Sequence, residues 1–216
     1  MENKIGVLVS GGGTNLQSII DQIHLSPFAA TISCVISNNA HAYALQRAQQ
    51  AAIPHHVIEH SNYPSRADFE SKLISVFEQY EVNIVCLAGF MRVLESGFIA
   101  HYKGRILNIH PSLLPHFRGL HTHQRALDNQ HKHHGCSVHF ATAELDGGPL
   151  VLQAYEDIKD DDTAESLAAR VLVKEHIIYP MCIKWLCEGT ISCQDEIVYY
   201  DGKPLKKPLR LDELSN

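Results

Sequence analysis

The sequence predicts an α/β protein: a single domain built on a mostly parallel, twisted, Rossmann-like sheet with helices on both faces. Three observations carry this. Short apolar strands alternate with amphipathic helices from the N-terminus to about residue 110. The strands are apolar on both faces, as strands covered from two sides must be. Polar or glycine-rich loops follow several of them, at the end where such sheets place their ligands. With 216 residues, 45% hydrophobic and 19% charged, the chain is long enough to bury one sizeable core. We read 1–190 as that core and 191–216 as a β-rich C-terminal tail.

The first unit is a strand from Lys4 to Val9, a glycine loop from Ser10 to Gly13, and a helix from Thr14 to Ile23 with Leu16, Ile19, Ile20 and Ile23 on one face. A β-branched strand from Thr31 to Ser37 and an Ala/Gln-rich helix from Ala42 to Ala52 form the second, closed by Pro54. A short strand around Val57 and Ile58 precedes a helix from Ser65 to Tyr80, with Phe69, Leu73, Val76 and Phe77 at helical spacing and Ser65 as N-cap. Then come a strand from Ile84 to Leu87, a helix around Val93 to Tyr102 and the Ile106 strand. A helix near His123 to Asn129 leads to strands from Cys136 to Phe140 and Leu150 to Tyr155. Thr163 opens a long helix, perturbed at Pro180 and ending near Leu186, and Ile191 to Tyr200 is β-rich.

Composition narrows the function classes. A formal net charge of -6 gives no overall electrostatic reason to bind nucleic acid or an anionic membrane. The N-terminus enters a strand directly, without the charged and apolar regions of a secretion signal, and no apolar run is long enough to span a bilayer. A cytoplasmic protein is expected. The six cysteines form no Cys-x-x-Cys pair and read as reduced packing residues. Nine of the fifteen histidines fall between His101 and His139, yet their spacings match no zinc pattern, so no metal is expected. His110, His121, His123 and His139 are candidates to line one pocket.

The chemistry centres on Ile106-Leu-Asn-Ile-His-Pro-Ser-Leu-Leu-Pro115. Asn108 and His110, two apart on a strand, project to the same side while Leu107 and Ile109 pack on the other. Pro111 ends the ladder directly after them. An amide that donates to a developing oxyanion beside an imidazole that exchanges a proton suits acyl transfer. The same pair could also simply cap a turn. Ser10-Gly-Gly-Gly-Thr-Asn15 offers free backbone N–H groups at a helix start, a place for one small phosphate. It lacks the third glycine of a dinucleotide fingerprint and the lysine of a P-loop. Asp146, in a loop with Gly147 and Gly148, would favour the charged form of His110 if the fold brought them together.

Five stretches taken together are specific: Ser10-Gly-Gly-Gly-Thr-Asn-Leu-Gln17, Leu87-Ala-Gly-Phe-Met-Arg-Val-Leu94, Leu107-Asn-Ile-His-Pro-Ser-Leu-Leu-Pro115, Gly119-Leu-His-Thr-His123 and Glu144-Leu-Asp-Gly-Gly-Pro149. With them the chain, as far as Val173-Lys-Glu-His-Ile-Ile-Tyr-Pro180, resembles the phosphoribosylglycinamide formyltransferases, folate-dependent enzymes of purine synthesis. The resemblance implies a single formyltransferase domain over 1–216 that passes the formyl group of 10-formyltetrahydrofolate to the amine of glycinamide ribonucleotide. It implies Asn108, His110 and Asp146 as catalytic residues, and Gly13, Thr14, Asn15 and Glu175 as ribonucleotide contacts. Arg66, Met91, Arg92, Val93, Leu94 and Asn108 are implied folate contacts, with Ala143, Glu144, Leu145, Asp146 and Gly147 enclosing the pterin. A monomer or weak homodimer is expected, with neither nucleic acid nor membrane as partner. The chain departs from the family at Gly12 and at His116-Phe-Arg118. A formyltetrahydrofolate hydrolase, and a noncatalytic folate or nucleotide binder, are the alternatives. Methionyl-tRNA formyltransferase shares the Asn-x-His pattern but normally adds an RNA-binding domain for which this chain has no room.

Overall fold

The structure is a computed structural model that describes residues 2–25 and 30–214. Its backbone groups into two compact units, Met1–Leu107 and Asn108–Asn216. The first unit holds strands β1 (Asn3–Val9), β2 (Ala30–Ser37), β3 (His55–Val57) and β4 (Ile84–Leu87) and helices α1 (Thr14–Leu25), α2 (Tyr43–Gln50), α3 (Arg66–Gln79) and α4 (Ser96–His101). Its strands lie in the order β4-β1-β2-β3, every neighbour parallel. Residues Ile5 to Val9 are all buried, so β1 is covered on both faces, as its unbroken apolar run requires. Gly6 allows a close approach: a Cβ there would stand 2.6 Å from the Phe77 ring of α3.

Strand β5 (Ile106–His110) starts on the last two residues of the first unit and ends in the second. The second unit adds α5 (Thr122–Asp128), β6 (His133–Phe140), β7 (Leu150–Asp157) and α6 (Ala164–Glu188). Antiparallel β6 and β7 follow β5 in the sheet order. Strands β8 (Ile191–Gln194), β9 (Ile197–Tyr200) and β10 (Lys203–Pro204) make a small antiparallel sheet, and β11 (Leu209–Arg210) runs parallel to β7. The fold is therefore α/β with mostly parallel strands, as predicted.

Three local expectations are corrected by tertiary contacts. The helix expected around Val93 to Tyr102 covers only Ser96–His101, because the buried Glu70 carboxylate takes the Glu95 N–H at 2.8 Å and Leu94 is buried. Strand β6 begins at His133 rather than Cys136. Pro180 does not break α6, which continues to Glu188 and closes on Gly189 with φ 76°. Tyr179, Pro180, Cys182 and Ile183 are all buried there, and that packing outweighs the hydrogen bond that proline removes. The start of α6 follows expectation: Thr163 and Ser166 exchange reciprocal backbone bonds of 3.2 and 3.0 Å as a capping box.

Candidate active site

The end of β5 delivers Asn108 and His110 to one side, with Leu107 and Ile109 buried on the other. After Pro111 the chain is held by buried polar groups rather than by ladder bonds. Ser137 Oγ donates to Ser112 O at 2.7 Å and accepts the Leu114 N–H at 3.1 Å, while Gln153 Nε2 donates to Leu114 O at 2.9 Å. The segment from His110 to Phe117 is thereby pinned to β6 and β7.

Asp146 sits in the β6–β7 loop with φ 48°, its side chain only 8% exposed. Its Oδ2 accepts the Gly119 N–H at 2.9 Å and lies 3.5 Å from His110 Nδ1. The fold thus makes the contact that sequence alone left conditional. On the other ring nitrogen, His110 Nε2–H donates to Phe117 O at 3.0 Å. Both nitrogens of His110 face acceptors, which fixes the orientation of the ring.

Asn108 has a partner that the motif did not reveal. His139 Nδ1–H donates to Phe140 O at 3.0 Å, which leaves Nε2 with its lone pair, and that nitrogen accepts an Asn108 Nδ2–H at 3.0 Å. Burial lowers the His139 pKa to about 4, so the ring is neutral near pH 7 and keeps this acceptor. The second Asn108 N–H faces Asp146 Oδ1 at 3.5 Å, a long and weak contact. The amide orientation is therefore set by His139, with one donor loosely held. By sequence His139 is only a pocket-lining candidate; the signal that marks it is a histidine near the end of an otherwise apolar buried strand.

The folate-loop residues Ala143, Glu144 and Leu145 are exposed and Gly147 half-buried; Arg118 forms an ion pair with Glu144 that ties this loop to the segment after His110. Leu145 is 50% exposed, available to a ligand rather than to the core. Behind Gly147 lies a cavity of about 400 Å³ whose wall includes Leu114, Arg118, Ile197 and Lys206, so the tail contributes to the surroundings of this loop. Glu175 is on the buried face of α6, 7% exposed. His123 Nδ1 and His134 Nε2 pair with each other at 3.1 Å, and His121 lies exposed before α5. Among the described residues no three histidine, cysteine or acidic side chains group as a metal site would require.

The other predicted residues belong to the first unit. Gly13, Thr14 and Asn15 stand where β1 turns into α1, and Gly13 has φ 70° with Ala44 packed where a Cβ would stand. Arg66 opens α3 and pairs with Glu95 at 3.7 Å. Met91 and Val93 are 64% and 40% exposed in the loop after β4, Leu94 is buried, and Arg92 has no charged partner among the described residues. Ser10, not singled out as a side chain by its motif, joins these loops: its Oγ donates to Asn38 at 2.6 Å and accepts the Met91 N–H at 2.8 Å.

The chain matches known proteins over most of its length. The family described as formyl transferase matches residues 3–183. The phosphoribosylglycinamide formyltransferase of Escherichia coli (strain K12) is 46% identical over 201 residues, 93% of this chain and 95% of its own length. Among solved structures, the phosphoribosylglycinamide formyltransferase of Coxiella burnetii superposes with a TM-score of 0.93 at 49% identity, covering 97% of this chain and 99% of that one. Glycinamide ribonucleotide transformylase 1 of Symbiobacterium toebii gives 0.89 at 42% identity, over 92% and 94%. An amide, an imidazole and a carboxylate gathered at one strand end, on a fold and sequence shared over nearly the whole chain, place this protein in the formyl transferase family.

Proposed function

We propose that the protein transfers the formyl group of 10-formyltetrahydrofolate to the amine of phosphoribosylglycinamide, a cytoplasmic step of purine biosynthesis, with the whole chain acting as one catalytic domain. The observation that carries this is the convergence of Asn108, His110 and Asp146, with the amide oriented by a neutral His139. The substrate amine attacks the formyl carbon, and the Asn108 N–H that is only loosely held by Asp146 turns to the developing oxyanion. His110, held beside Asp146, supplies the second donor once its Nε2–H leaves the Phe117 carbonyl. As the tetrahedral intermediate collapses, the bond from the formyl carbon to the folate nitrogen breaks and the proton lost by the amine passes through His110 or water to that nitrogen.

Gly13, Thr14, Asn15 and Glu175 are assigned to the ribonucleotide. Arg66, Met91, Arg92, Val93 and Leu94, with Asn108 and the loop Ala143, Glu144, Leu145, Asp146 and Gly147, are assigned to the folate. No metal takes part, the partners are small molecules rather than nucleic acid or membrane, and the protein acts as a monomer or weak homodimer. The test is release of tetrahydrofolate by purified protein with and without glycinamide ribonucleotide. Release that depends on the ribonucleotide supports transfer, release with water alone supports a hydrolase, and folate binding without release supports a noncatalytic binder.

A further inference from the structure

The glycine loop that follows β1 is tied down by its carbonyls. Ser10 O accepts Asn39 Nδ2–H at 3.4 Å, Gly11 O accepts the Ala44 N–H at 3.1 Å, and Gly13 O accepts the Gln17 N–H at 2.9 Å. The Gly12 carbonyl alone relies on a charged side chain, Arg47 of α2, whose Nε–H donates to it at 2.9 Å. Arg47 is itself braced. Its Nη1 donates to Gln17 Oε1 at 3.1 Å, and its guanidinium lies 4.9 Å over the Tyr43 ring.

A peptide unit whose carbonyl is held on one side presents the following N–H on the other. Among the described residues no acceptor is bound by the backbone N–H of Gly12, Gly13 or Thr14. Nothing lies within 4 Å of where a Cβ of Gly11 or Gly12 would stand, so the space in front of the loop is open. Unsatisfied donors at the start of a twelve-residue helix, with an arginine locked beside them, make a locally positive loop of the kind that takes an anion.

We propose that Arg47 is a positioning residue for substrate phosphate: by holding the Gly12 carbonyl it turns the Gly13 N–H outward, and its charge favours a phosphate monoester over a neutral group. It acts through Gly12 and has no part in formyl transfer. This rests on the proposed assignment of the Gly13 to Asn15 loop to the ribonucleotide, and it adds a residue outside that motif, on a different helix.

The test is calorimetric binding of ribose 5-phosphate and of glycinamide ribonucleotide to the wild type, Arg47→Ala and Arg47→Lys, alongside steady-state kinetics. Loss of one charge-assisted hydrogen bond is expected to weaken binding of both phosphates by about tenfold in Arg47→Ala. KM for the ribonucleotide should rise in parallel while kcat stays within about twofold, the pattern of an interaction made equally in ground and transition states. Arg47→Lys keeps the charge without the two-point brace and should recover part of the affinity. Unaltered ribose 5-phosphate affinity in Arg47→Ala, or a fall in kcat at constant KM, overturns the proposal. If the wild type binds no ribose 5-phosphate, the phosphate role of the loop falls and Arg47 with it. If it binds but transfers no formyl group, the transferase reading fails while the role of Arg47 stands on the binding data. Thermal melts of each variant check that the half-buried Arg47 site still folds.

Discussion

His139 Nε2 accepts an N–H of Asn108 at 3.0 Å because its own Nδ1–H is committed to the Phe140 carbonyl, 3.0 Å away. A buried, neutral histidine therefore fixes which end of the Asn108 amide points where. Replacing His139 by phenylalanine keeps a ring of similar shape and removes the acceptor. The expected outcome is a fall in kcat of about tenfold, with KM for both substrates little changed, since an orienting group acts mainly on the transition state. A full kinetic comparison with the wild type checks this.

The same burial makes stability depend on pH. His134 and His139 both have folded-state pKa values lowered to about 4, first by burial. Between the ordinary histidine value of about 6.5 and that lowered value, the unfolded chain binds protons that the folded one refuses. Stability is then fully present above about pH 6.5 and is lost as pH falls toward 4, with a slope of up to about 1.4 kcal/mol per pH unit for each histidine. Urea unfolding at a series of pH values should show this slope, and His134→Gln should flatten it.

Arg170 joins the start of α6 to β7. Its nitrogens reach both Asp162 oxygens at 2.6 Å, Glu156 Oε1 at 2.9 Å and the Asp157 carbonyl at 3.0 Å. The guanidinium holds the Asp162 carboxyl well below the usual carboxylate range. A multidentate, three-quarters buried pair contributes more than an exposed one, so Arg170→Ala should lower stability by roughly 1–3 kcal/mol without altering kcat. Denaturant melts and a turnover assay on the same variant separate the two effects.

His110 Nε2–H is held by the Phe117 carbonyl, yet the proposed chemistry needs that donor at the formyl oxygen. Binding of a folate that carries a carbonyl at the formyl position should therefore shift the His110 Nε2–H resonance in the NMR spectrum. A folate lacking that carbonyl should leave it in place.

Much of the site is legible in the sequence, for identifiable reasons. Strand periodicity alone puts Asn108 and His110 on one side, and Pro111 marks the strand end. Ser65 and Thr163 cap α3 and α6 as short-range rules predict. The partners were not legible, because they depend on which strand lies beside which. His139 meets Asn108 across thirty-one residues of chain. The Phe117 carbonyl reaches His110 only through a backbone turn with φ 56°, uncommon for a residue other than glycine, and no motif signals it. Glu70, reading as an ordinary helical glutamate, shortens α4 by capturing the Glu95 N–H, a contact over twenty-five residues. Where local preference and packing conflicted, as at Pro180, burial decided.

The most direct test of the catalytic assignment is the single-turnover rate of formyl transfer at saturating 10-formyltetrahydrofolate and glycinamide ribonucleotide, in the wild type and in Asn108→Ala. Loss of one oxyanion donor should slow transfer by roughly a hundred- to a thousandfold, with folate affinity retained and the fold intact. Transfer at near wild-type rate by Asn108→Ala would contradict the account, because the amide that His139 holds in place would then have no part in the chemistry.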